Sequence, residues 1–262
     1  MGELLDKLDR ASRGASAPLG FASSAKREKI APMLLLGAVE AGNAAQAKLA
    51  SDGALDAAIV VGTGAAKKAD VDRSAKALAD MTFGVWLDEA QATEPDGTDF
   101  QVFSSEATPA GALSGDERTT VMQVVPELDD SLLRTIEHLP VDAFLVSLAD
   151  ADALTVRQLM RLARVRGVTS RWVFAHLAAL PTKEEAEQLR DGGVGAIVVD
   201  LAGQTAASLK ACRQILLDLP HEPPQRKKGR GMAILPSTGA PTLQPSRREP
   251  EPEPDEDDDD EP

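Results

Sequence analysis

The chain has 262 residues, 43% apolar and 27% charged, enough to bury one large core, and this excludes a wholly disordered polypeptide. Its net charge of −14 is unevenly placed: residues 249–262 hold ten acids and no base, so the remainder carries −4 and the acidity says nothing about a substrate. A single cysteine, Cys212, excludes an intrachain disulfide. With no secretory-type apolar core at the start and no apolar run of roughly 18–20 residues, a cytoplasmic protein without a membrane partner is expected.

Residues 2–13 set Leu4, Leu5 and Leu8 along a short amphipathic helix, which serves either as a plug for the strands after it or as an arm. Residues 1–30 read as this arm and lead-in. A rhythm of short apolar runs and helix-like segments then begins. Residues 33–39 (MLLLGAV) predict strand one, followed by a helix over 43–51. Residues 57–62 (AAIVVG) predict strand two, with a helix over 70–80 where Val71, Ala75, Leu78 and Ala79 repeat at helical spacing. Strand three is expected at 82–87 (TFGVWL) and strand four at 100–104 (FQVFS). The connections after both are rich in Pro, Gly, Ser and Thr, so their helices are short or missing.

Strand five is expected at 120–125 (TVMQVV), with a helix over 129–139 opened by Asp129. Strand six lies at 143–148 (AFLVSL), with an amphipathic helix over 155–166. Strand seven lies at 171–176 (RWVFAH), and its helix, 182–191, is capped by Thr182 and stopped at Gly192-Gly193. Strand eight spans 196–200 (AIVVD), and a helix over 205–219 ends the rhythm. Eight near-continuous apolar runs with intervening helices predict an α/β fold, a single (βα)8 barrel over 31–220. A doubly wound open sheet shares the alternation and is the alternative. Residues 221–262 read as a disordered tail rich in Pro and acids, which cannot bury enough apolar area to offset its chain entropy.

A barrel of this kind places its site at the carboxyl ends of the strands. Those ends would carry Glu40, Gly62, Thr63, Asp88, Glu89, Glu106, Glu127, Ser147, Asp150, His176 and Asp200. Lysine is missing from the strand ends, which argues against a Schiff-base mechanism. Asp88, Glu106 and Glu127 follow three consecutive strands and are candidate ligands for Mg²⁺, which prefers oxygen donors; solvated or helix-capping acids are the competing reading. This arrangement of acids resembles the metal ligands of enolase-type barrels. His176 is the histidine nearest the mouth and a candidate general base, with Glu127 or Asp200 to orient it. Gly62-Thr63-Gly64 fits either a phosphate-cradling turn, with Lys67 and Lys68 adding charge, or a tight βα turn.

Thr182-Lys183-Glu184-Glu185-Ala186 and the run Gly192-Gly193-Val194-Gly195-Ala196-Ile197-Val198-Val199 resemble the last two units of phosphate-binding TIM barrels. Histidine-biosynthesis isomerases and flavin-dependent nitronate-type oxidases are examples. The resemblance implies a barrel whose phosphate loops follow strands seven and eight. Here Ala178-Ala179 stand where those families carry loop glycines, and Asp200 replaces a glycine, which disfavours flavin mononucleotide. Gly203, before the last helix, leaves room for an anion at that helix's start.

In the tail, Arg226–Arg230 forms a basic cluster without interleaved aromatics, so nucleic acid is not the expected partner. Met232-Ala233-Ile234-Leu235-Pro236 is its apolar patch and the candidate contact for a protein partner. Two functions from different classes are expected. One is a small-molecule enzyme or binder at a carboxylate-lined mouth, with metal-assisted lyase or isomerase chemistry. The other is a catalytically degenerate barrel serving as a binding or scaffold protein through its acidic tail.

Overall fold

Strands that are apolar on both faces need side chains filling one side and helices covering the other. The computed structural model describes residues 2–14, 29–87, 95–103, 108, 113, 118–125, 128–151 and 153–221. It opens with α1 (Glu3–Arg13), then β1 (Leu34–Glu40), α2 (Ala44–Ser51), β2 (Ala57–Val61), α3 (Lys68–Ala77) and β3 (Phe83–Leu87). Next come β4 (Phe100–Phe103), β5 (Thr119–Val124), α4 (Asp130–Thr135) with a 3₁₀ turn over Ile136–His138, and β6 (Ala143–Ser147). The chain continues through α5 (Val156–Arg166), β7 (Trp172–Leu177), α6 (Lys183–Asp191), β8 (Ala196–Asp200) and α7 (Ala206–Asp218).

Each strand pairs in parallel with its neighbour in sequence, and β8 returns to β1. The sheet is therefore a closed eight-stranded barrel and not an open doubly wound one. Among the described residues no α-helix stands between β3 and β4 or between β4 and β5. Contacts gather into one unit, Met1–Pro224; a second, Gln225–Pro262, lies outside the described residues, and so do the basic cluster and acidic run of the tail. Among the described residues no helix is long and apolar enough to cross a membrane.

Side-chain alternation divides the core in two. Leu34, Leu36 and Ala38 of β1, Ile59 of β2, Phe100 and Val102 of β4, Leu145 of β6, Phe174 of β7 and Val198 of β8 fill the barrel. The opposite parity, including Leu35, Val60, Val85, Phe144, Val173 and Ile197, packs outward against the helices. α1 is a plug: Leu4, Leu8 and Ala11 join the interior cluster. Lys7 fixes it to the strand starts, its Nζ donating to the Asp56 carbonyl at 3.0 Å and to Thr82 Oγ1 at 2.5 Å.

Beneath the strands runs a repeated fastener. Asp56, Asp99 and Asp142 stand immediately before β2, β4 and β6, and each bonds the preceding strand twice. Their carboxylates accept from the backbone N–H of Leu35, Phe83 and Thr120 at 2.8, 2.9 and 2.8 Å. Their own N–H groups donate to the carbonyls of those same three residues. Before β8 the equivalent place is Gly195, whose N–H donates to the Val173 carbonyl at 2.8 Å. A Cβ there would stand 2.8 Å from the Trp172 ring and 3.3 Å from Leu8, so the plug and the tryptophan occupy the space a carboxylate would need.

Helix starts follow the sequence signals. Thr155 with Gln158, Thr182 with Glu185 and Thr205 with Ser208 form capping boxes on α5, α6 and α7. After α6 the reversal falls on Gly193, at φ +78°, a left-handed conformation that glycine adopts at no steric cost.

Candidate functional site

The inward parity that fills the barrel continues to the carboxyl ends, where it presents Glu40, Val61, Trp86, Gln123, Ser147, His176 and Asp200. Apolar filling gives way to mostly polar groups at this level because these positions are the last or next-to-last of their strands. Among the described residues the layer holds two carboxylates and one imidazole, without lysine or arginine.

His176 and Asp200 meet. They lie on adjacent strands, and the register pairs His176 with Val198, two residues before Asp200 and on the same face. His176 Nε2 is 3.2 Å from Asp200 Oδ1. The His176 side chain is 15% exposed and that of Asp200 52%, so the carboxylate keeps its water while the ring is mostly enclosed. An ionised carboxylate only accepts hydrogen bonds, so this contact favours the tautomer with the proton on Nε2. Nδ1 then holds a lone pair, and it has no hydrogen-bond partner among the described residues.

Trp86 makes the second contact to the ring. It projects from β3, across the barrel from β7, and its ring meets the His176 ring edge-on at a centroid distance of 5.6 Å. At 8% exposure it is core material packed against the imidazole. The Trp86 carbonyl accepts a 2.9 Å hydrogen bond from Thr63 Oγ1, which ties the loop after β2 to the end of β3. Ser147 stands opposite His176 in the β6–β7 register. Glu40 lies on the neighbouring strand to Asp200, its carboxylate accepting from Asn43 Nδ2 at 3.4 Å.

Thr63, singled out in the sequence for its place between two glycines, is buried with its hydroxyl committed to Trp86, and Gly62, at φ +72°, makes the tight turn before it. A Cβ on Gly62, Gly64 or Gly203 would meet nothing within 4 Å, so none of these glycines is needed for close packing. Gly203 has φ +74° in the turn between β8 and α7. Asp88, Glu106 and Glu127 lie outside the described residues. Among the described residues no group of three or more His, Cys, Asp or Glu side chains is placed to hold a metal ion.

Ala178 and Ala179, where the resembled families carry phosphate-loop glycines, line a cavity of about 10 Å³ with Leu148, Gln158, Pro181 and Glu185. That is room for roughly one water. Glu185 helps to close it, accepting from Leu154 N at 2.7 Å and from Thr182 N at 2.8 Å. Gln158 does the same from the other side, donating to the Leu148 carbonyl and to Asp150 Oδ1.

Two features escaped the sequence reading. Trp86 looks like any strand residue, and only closure of the barrel brings it to His176. The fasteners were visible as Asp56, Asp99 and Asp142, spaced evenly by 43 residues before strand runs.

No family model matches the chain, and no curated protein matches it. Solved structures do. Tryptophan synthase from Mycobacterium tuberculosis superposes with a TM-score of 0.56 at 13% identity, over 82% of this chain and 97% of that one. GGGPS from Thermoplasma volcanium gives 0.55 at 12%, over 83% and 96%. Thiamine phosphate pyrophosphorylase from Pyrococcus furiosus gives 0.52 at 16%, over 70% and 95%. All three are TIM-barrel proteins, and at these identities the likeness is one of fold: the chain is a TIM barrel whose neighbours in structure are enzymes.

Proposed function

We propose that the protein is a small-molecule enzyme of the lyase or isomerase type, in which His176 moves a proton at the carboxyl mouth of the barrel. The observation that carries this reading is the contact between His176 Nε2 and Asp200 Oδ1 at 3.2 Å, on the interior face where TIM barrels work. Asp200 orients the ring and stabilises the imidazolium formed when Nδ1 takes a proton; it does not take the proton itself. The edge-on contact with Trp86 gives the imidazole a second support beside Asp200. A positioned general base contributes about 10²–10⁴-fold to a proton transfer.

The described mouth residues favour neutral or cationic substrates, because Glu40 and Asp200 both repel a phosphate dianion. Space beside Ala178 and Ala179 is about 10 Å³, which agrees with a substrate lacking a phosphate in that place. Mg²⁺ enters the reading through Asp88, Glu106 and Glu127, which follow β3, β4 and β5 in the chain.

The test is a thermal-shift screen of the full chain against neutral and cationic carbonyl compounds, with and without Mg²⁺ or Mn²⁺. A ligand at ~100 times its Kd stabilises by about 2.7 kcal/mol, well within reach of the method. We expect at least one compound to raise the Tm and to lose that effect in His176→Asn. A screen with no such compound favours instead a barrel without catalysis, acting as a scaffold for a protein partner.

A further inference from the structure

At the end of the barrel remote from His176, where α1 lies across the strand starts, there is a cavity of about 210 Å³. Its apolar surface comes from Ala11, Ile30, Ala31 and Leu34, and four cations, Lys7, Arg10, Lys29 and Arg213, line it together with one acid, Asp56. Three of these charges are already answered. Lys7 Nζ lies 3.4 Å from Glu3 and Lys29 Nζ lies 2.7 Å from Asp218, while Arg213 Nη1 bonds the Asp56 carboxylate. Arg10 has no acidic partner among the described residues. In direct ion pairs, four cations are thus met by three acids, with Asp99 also drawn by Lys7, and Arg10 is the cation left over.

The donors left over have a specific shape. A guanidinium carries five N–H groups in a planar fork, and Arg213 spends one of them on Asp56. Forks of this kind meet carboxylate or phosphate oxygens through paired hydrogen bonds. The volume is below the roughly 300–1,000 Å³ of drug-sized pockets and suits an anion of a few heavy atoms with its waters. We propose that this cavity is a second small-molecule site, which takes a small oxyanion, phosphate or carboxylate, on Arg10 and Arg213. It is independent of the chemistry at the mouth, where the charge has the opposite sign.

Isothermal titration calorimetry of the full chain with inorganic phosphate, and separately with succinate, at matched ionic strength tests this. Saturable binding of either anion is expected, and which one binds names its source. Losing a charge-assisted contact should weaken it roughly tenfold or more in Arg10→Gln, an exposed position whose change leaves the fold intact. Arg213→Gln should do the same, read beside its urea midpoint because the change also frees Asp56. Affinity in His176→Asn should be unchanged. The proposal is overturned by the absence of saturable heat, by binding indifferent to Arg10, or by binding lost in His176→Asn, which would place the anion at the mouth.

Discussion

Under β2, β4 and β6 an aspartate closes the same two-bond link to the preceding strand, yet the three are not equivalent in charge. Asp56 is paired with Arg213, whereas burial pushes the carboxyl of Asp99 above its ordinary value, with Glu3 adding repulsion against the pull of Lys7 and the Phe83 N–H. A raised folded pKa means that the folded state holds the proton longer than the unfolded chain does. This group's contribution to stability is therefore present below the unfolded value of 3.8 and is lost as pH rises through the folded one. The change Asp99→Asn keeps an acceptor for the Phe83 N–H and removes the ionisation. Urea midpoints of Asp99→Asn and its parent, compared at about pH 4 and about pH 7, should show the difference shifting in the variant's favour at the higher pH. A difference that stays constant across that window contradicts the assignment. At the mouth, His176 instead meets a half-exposed carboxylate and a buried ring, and its Nδ1 is left without a partner among the described residues.

Among the elements, α1 carries the clearest structural role. Its apolar residues lie inside the barrel's own cluster, so it completes the interior where β1 and β8 begin. Leu8 is 1% exposed, and removing its side chain should cost about 2–5 kcal/mol, as for other buried leucines cut to alanine. Urea unfolding of Leu8→Ala should record that loss. A cost below about 1 kcal/mol would mean that α1 does not seal the barrel in solution. The helix was legible from Leu4, Leu5 and Leu8, but its place only as a plug or an arm, because amphipathicity records a face and not the surface that face meets. Strand and helix positions elsewhere were read to within a few residues. Periodicity and capping residues such as Thr155, Thr182 and Thr205 are local signals that packing then reinforces. The connections after β3 and β4, which Pro, Gly and Ser mark as different in the sequence, lie largely outside the described residues.

For the whole molecule, closure converts eight local units into one site. The neighbours in structure share the frame at 12 to 16% identity, so the frame carries the fold while the residues at its mouth carry whatever chemistry this chain performs. His176 and Asp200 were legible as candidates because each ends a strand run. Asp200 was legible as a possible partner of the ring, but Glu127 was preferred beside His176; the β7–β8 register sets Asp200 by the ring, and Glu127 lies outside the described residues. Trp86 was not legible at all: its partner is on the far side of the barrel, at a separation of 90 residues in the chain. Pairings of that kind belong to the tertiary structure.

If His176 abstracts a proton under the guidance of Asp200, the carbon-bound hydrogens of a substrate must exchange with solvent. Incubation of the full chain in D₂O with a panel of neutral α-hydroxy ketones and cationic amino ketones, followed by proton NMR, tests this without knowledge of the complete reaction. Enzyme-dependent exchange into at least one compound is expected, reduced about 10²-fold or more in His176→Asn and by a smaller factor in Asp200→Asn, which keeps the ring but loses its partner. Exchange that persists at the parental rate in His176→Asn, or an absence of exchange across the panel, would contradict a proton-transfer role for His176.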